Sequence, residues 1–168
     1  MPSSSDRGRP GGGPADTGGP AGTGGWPGWA GPVLPVGLRG SVRAKVTEAD
    51  TAAAMGSGDV PVLATPRLLA LAEAATVAAA APGLPAVFTS VGTSVTLEHR
   101  RASLPGAEIE VEAELTEVDG QRLVFSFIAR AADTEQDVVI GAGTVERVVV
   151  DRARFLARAA QNPAVDRG

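Results

Sequence analysis

Thr65, Glu73 and His99 are the polar residues whose types and positions in this 168-residue chain best suit chemistry. Glu73 is the lone acid in the run Pro66–Ala81 (PRLLALAEAATVAAAA), whose composition predicts a helix that is apolar almost all round. Such a helix has to be wrapped by other structure. A carboxylate inside it pays a desolvation cost unless it is paired, and it tends to titrate at a raised pKa, so Glu73 is the first candidate for chemistry. Thr65 opens the helix, where free backbone N–H groups and the positive dipole end favour an oxyanion. Glu73 follows eight residues later, ~12 Å along the axis. His99, the sole histidine, closes the strand that comes next.

Each residue also has an ordinary reading. Thr65 alone reads as a helix N-cap, and His99 as a solvated or hydrogen-bonded structural group. An ion pair with an arginine such as Arg147 accounts for Glu73. Arg147 and Glu146, which interrupt an apolar run, read as a surface pair. Gly92, in the middle of a predicted strand, marks a bulge or a place where a ligand approaches the backbone.

Composition removes several function classes. The chain has no cysteine and one histidine, which excludes disulfides, thiolate chemistry and a multi-histidine metal site within one chain. Net charge is −4 with no basic block, which argues against a nucleic-acid partner. No cofactor is implied. The start of the sequence lacks an apolar signal core, and no apolar run reaches ~18 residues, so a soluble, cytoplasmic protein is expected. Lys45 is the only lysine beside many arginines, alanines and glycines, a composition associated with GC-rich bacterial genomes.

Residues 1–35 hold half of the glycines and over half of the prolines. Such a stretch cannot bury enough apolar surface to offset its ordering entropy, so it is expected to be a disordered tail. Trp26 and Trp29 near its end are expected to be loosely held. Residues 36–160 form the expected domain, and 161–168 a disordered C-terminus.

Within that domain the alternation of Val42, Ala44 and Val46 with Arg43 and Lys45 predicts a half-buried strand. Glu48–Asp59 reads as a loop or short helical turn. Then comes the long helix, ended by Pro82-Gly83. Val87–Arg100 reads as a strand. Ile109–Val118 alternates strictly, with Ile109, Val111, Ala113 and Leu115 inward and Glu110, Glu112 and Glu114 on a solvated face. Asp119-Gly120 predicts a hairpin into Leu123–Ala129. Val138–Val150 is the last strand, and Asp151 caps a short amphipathic helix. One apolar helix with about five strands, mostly antiparallel, gives an α+β architecture in which a curled sheet wraps the helix: the hotdog fold. The sheet covers the helix from one side, so a dimer with a continuous sheet completes it.

The stretches VLATPRLLALAEAA, TSVGTSVTLEHRRASLPG and GAGTVERVVVDRARF closely resemble the fluoroacetyl-CoA-thioesterase-like hotdog proteins, over about Gly37 to Arg158. The resemblance implies an acyl-CoA or acyl-carrier-protein thioesterase acting as a homodimer. It also implies a catalytic constellation of Thr65, Glu73 and His99 at the dimer interface beside an acyl pocket. Gly92 would lie close to the acyl group, and Arg147 matches an arginine near the substrate. The fluoroacetate-specific member carries a phenylalanine lid six positions before its threonine, where this chain has Asp59. A different small or medium acyl group is therefore expected. The alternative is a hotdog protein that binds an acyl thioester or a small hydrophobic ligand without hydrolysing it. Thioester hydration is disfavoured because the helix has no histidine.

Overall fold

The computed structural model describes residues 29–161 apart from positions 133 and 135. Most of the expected N-terminal tail and nearly all of the expected C-terminal tail lie outside the described residues. Five strands, β1 (Arg39–Lys45), β2 (Phe88–His99), β3 (Glu108–Asp119), β4 (Arg122–Ala131) and β5 (Val139–Asp151), form one antiparallel sheet in the order β1-β3-β4-β5-β2. A short helix α1 (Ala52–Met55) precedes the long helix α2 (Thr65–Ala80), and α3 (Arg152–Gln161) follows the sheet. No described helix is long and apolar enough to cross a membrane.

The alternation of β3 is realised as read, with Ile109, Val111, Ala113 and Leu115 all buried against α2 and its surroundings. The outward glutamates are each matched by an arginine: Glu110 by Arg43, Glu112 by Arg130 and Glu114 by Arg39. Alanines let α2 sit close to the sheet. At Gly40 of β1 an added Cβ would meet the helix backbone itself, with Ala75 O at 2.8 Å. Leu68, Ala72, Ala75 and Ala79 form the face of α2 that this packing buries.

The opposite face of α2 is left open. Ala70, Ala74, Val77 and Ala78 are exposed, and the Glu73 side chain retains 37% of its accessibility. The expectation of a helix buried all round is therefore met only on the sheet side within a single chain. A sheet of five strands curls round one side of a helix and no further. The packed core also takes in residues before position 36. Trp29 packs edge-to-face on Phe88, with ring centroids 5.9 Å apart, and Leu34 is 2% exposed. These two side chains sit among glycines and prolines, so average composition conceals them.

Candidate active site

Two polar clusters lie on the helix-facing side of the sheet. The first is built by the entry to α2. Asp50 is locked to Thr47 by paired hydrogen bonds and to Arg67 by a 2.6 Å ion pair. Its backbone carbonyl accepts from Ala64 N, while Leu63 N donates to Ser103 O. These bonds hold the start of α2 against the end of β2, where Thr65 Oγ1 meets His99 Nδ1 at 3.0 Å. Thr65 is consequently not the N-cap: Ala64 occupies that position with no side-chain bond, and the Thr65 hydroxyl is committed to the imidazole. Burial pushes the His99 pKa below its ordinary value, with the Arg101 backbone opposing. Burial thus favours the neutral ring, and its buried Nε2 has no hydrogen-bond partner among the described residues. Thr65 and His99 line a cavity of about 270 Å³ with Ala52, Ser57, Val62 and Arg101.

The second cluster surrounds Glu73, two turns further along α2. Arg147 is 5% exposed, so it is a buried group and not half of a surface pair. Its Nε donates to Ser90 Oγ and its Nη2 to Ser90 O, both at 2.9 Å. Nη1 reaches Thr76 Oγ1 and Glu73 Oε1, each at 3.4 Å. Burial lowers the Arg147 pKa and the Glu73 charge opposes it. The 3.4 Å contact is long for a charge-assisted bond, which is normally ~2.7–2.9 Å. Glu73 Oε2 has no partner among the described residues, so one carboxylate oxygen is left without a hydrogen bond from them. Thr76 and Ser90 complete the cluster and were not singled out in the sequence. Thr76 is a buried hydroxyl that donates to the Glu73 backbone carbonyl at 2.7 Å, and its i+3 spacing from Glu73 is the signal that could have found it.

Gly92 sits at the bulge anticipated for it. The register of β2 against β5 shifts between Gly92 and Ser94, leaving Thr93 as the extra residue of a bulge. Gly92 also lies where an added Cβ would collide with Glu73 Oε1. The bulge has a further consequence. Residues seven apart on a regular strand face opposite sides, yet Gly92 pairs with Arg147 and His99 with Gly141, both on the helix-facing register of β5. The bulge thus turns the Glu73 and His99 ends of β2 to the same side.

Within one chain the clusters stay apart. Thr65 and His99 are together, as are Glu73, Gly92 and Arg147. Eight helical residues, ~12 Å, separate the two groups. Asp59 is exposed in the loop before α2.

A long helix held in a curled antiparallel sheet defines the hotdog class, and solved structures agree. A solved structure of the fluoroacetyl-CoA thioesterase FlK is 32% identical and superposes with a TM-score of 0.70, covering 79% of this chain and 99% of that one. A thioesterase superfamily member from Thermus thermophilus is 26% identical, with a TM-score of 0.69 over 77% of this chain and 93% of that one. In sequence, the fluoroacetyl-CoA thioesterase of Streptantibioticus cattleyicolor is 38% identical over 100 residues, which is 60% of this chain and 69% of the relative. The family described as FlK, fluoroacetyl-CoA-specific thioesterase, matches residues 46–153. The chain belongs to this family and is a thioester hydrolase.

Proposed function

We propose that the protein is a homodimeric acyl-CoA thioesterase for a small or medium acyl group other than fluoroacetyl, with Glu73 of one subunit working beside Thr65 and His99 of the other. The observation that carries this reading is the division of the site into two half-sites facing the same side of β2. β2 is an edge strand of 12 residues, and a long unpaired edge is a template for another strand. Opposed residues in an antiparallel pair point to the same face. Self-pairing of β2 therefore has to match helix-facing with helix-facing positions. A two-fold axis at Thr96 does so: Thr96 meets its copy, Val95 meets Leu97, Ser94 meets Glu98 and, with Thr93 bulged, Gly92 meets His99. This register brings Glu73 to the Thr65–His99 pair of the partner, twice per dimer, and lets the partner cover the open face of α2.

In the resulting site the thioester carbonyl is polarised by backbone N–H groups at the β2 bulge. Glu73 Oε2 either attacks the carbonyl carbon or takes a proton from the water that attacks it. The C–S bond breaks, and on the nucleophilic route water then hydrolyses the acyl–Glu73 anhydride; on either route the proton given up by the attacking water is relayed by His99 to the departing thiolate. The Thr65 hydroxyl on Nδ1 fixes the ring so that Nε2 faces the reaction. Asp59 in place of an aromatic lid supports selectivity other than fluoroacetyl.

The test is thiol release from short, branched and aromatic acyl-CoAs by wild type, Glu73→Ala and His99→Ala. Turnover of part of the panel, with collapse in both folded variants, is the expected result. Full activity in either variant would refute the assignment. In single turnover in H₂¹⁸O, label entering Glu73 marks the nucleophilic route, and its absence marks direct attack by water.

A further inference from the structure

We propose that Arg101, with Arg100 beside it, binds a phosphate group of the carrier to which the acyl group is attached; this deepens the thioesterase reading and rests on it. Arg101 stands two residues beyond His99 and lines the Thr65–His99 cavity. It also lines the adjoining cleft with Gln136, Asp137, Val138 and Val139. A carrier leaving the reaction centre through this mouth passes along its side chain.

Three observations together point to this residue. The first is its lack of a partner. Arg39, Arg43, Arg122 and Arg130 on the sheet each meet a carboxylate within 3.0 Å, whereas Arg101 is exposed and pairs with no carboxylate among the described residues. The second is its backbone. The N–H groups of Arg100 and Arg101 both donate to the Ile140 carbonyl, at 2.7 and 3.2 Å. The turn is therefore fixed on β5, and only the side chain has to be ordered on binding.

The third is the surrounding charge. Asp137, the described carboxylate in the cleft, is held by Arg130 at 2.7 Å. Arg100 gives Nε and Nη2 to Glu98 Oε2, at 3.0 and 2.7 Å, which leaves Nη1 free. The mouth thus presents unspent guanidinium donors on a chain whose net charge is −4. A planar guanidinium suits phosphate oxygens, to which it can give paired hydrogen bonds.

A phosphate could come from coenzyme A, with its diphosphate and 3′-phosphate, or from the phosphopantetheine arm of a carrier protein. The experiment compares one acyl group on coenzyme A, on 4′-phosphopantetheine and on phosphate-free pantetheine. The enzymes are wild type, Arg101→Ala and Arg101→Lys. Arg101→Ala should lower kcat/KM for acyl-CoA ~10-fold, through KM, as expected for one charge-assisted contact. The loss on acyl-pantetheine should be under ~2-fold, and Arg101→Lys should recover part of the acyl-CoA loss. A loss that persists on acyl-phosphopantetheine places Arg101 on the phosphate that both carriers share. A loss confined to acyl-CoA places it on the phosphates coenzyme A alone carries.

Equal losses on all three substrates, or none on any, would overturn the proposal. Calorimetric binding of coenzyme A to wild type and Arg101→Ala gives a readout free of turnover. Weaker binding to the variant alongside no hydrolysis by wild type would retain the phosphate site and refute the thioesterase. Equal binding would refute the site whatever the kinetics.

Discussion

Substituting Gly92 by alanine should uncouple activity from stability. The added Cβ would overlap Glu73 Oε1, with Glu73 Cδ at 3.3 Å and Arg147 Nη1 at 3.8 Å. The obstacle is the end of a flexible side chain and not backbone. The fold can accept the methyl if the carboxylate withdraws by about an ångström or more. The backbone at Gly92 lies outside the left-handed region, and alanine in an extended segment is favoured over glycine by roughly 0.5–1 kcal/mol. Stability should therefore change by less than ~1 kcal/mol. A displacement of this size at a reacting group costs ~100-fold in rate. Steady-state thiol release should accordingly show kcat down by about two orders of magnitude, with the urea midpoint nearly unmoved. Retention of more than a tenth of kcat would refute the placement of chemistry at the Glu73–Gly92 contact. A large loss of stability would show that the glycine serves packing instead.

Three further outcomes follow from the same geometry. Because burial depresses the His99 pKa, the acidic limb of kcat/KM should lie below the ordinary value of 6.5; a limb at or above it would contradict a buried, neutral base. The same shift makes the unfolded chain bind protons that the folded one refuses. Folding stability is then complete above about 6.5 and falls as pH drops toward the folded pKa, a dependence that His99→Gln should flatten in urea titrations. Arg147→Met removes the donors to Ser90 and Thr76 and leaves Glu73 without its tether, which should cost ~1–3 kcal/mol; an unchanged urea midpoint would show that the cluster contributes nothing. Thr96→Cys introduces the only thiol in the chain, and paired residues across a two-fold lie within disulfide reach at about 5 Å. Mild oxidation should convert the variant to a covalent dimer on non-reducing gels, and a product that stays monomeric would reject the proposed strand register.

The architecture was legible because its two periodicities are unambiguous: an alanine-rich helix with a proline in its first turn, and strict alternation in β3. What lay out of reach depended on contacts between distant segments. Thr65 looks like an N-cap in isolation, and only the Asp50 and Ser103 backbone bonds show that its hydroxyl is turned to His99. Glu73 looked buried because the helix is apolar on all sides, yet one sheet covers only one of them. Arg147 beside Glu146 resembles a surface pair. In the strand the two side chains point to opposite faces, so Glu146 meets Arg122 outside while Arg147 lies inside with Ser90. The bulge at Thr93 could be suspected from Gly92, but its effect on which residues share a face needs the register against β5. Leu34 was hidden by the glycines and prolines around it.

Subunit complementation tests the central claim most directly. Glu73→Ala and His99→Ala are each expected to be inactive as homodimers. If every site takes Glu73 from one subunit and His99 from the other, a mixed dimer holds one doubly damaged site and one intact site. Random reassociation of equal amounts makes half the dimers mixed, so recovery should approach ~25% of wild-type activity, as two-fold symmetry requires. Recovery near that level would support the shared site. A mixture as inactive as its components, with mixed dimers shown to have formed, would contradict it.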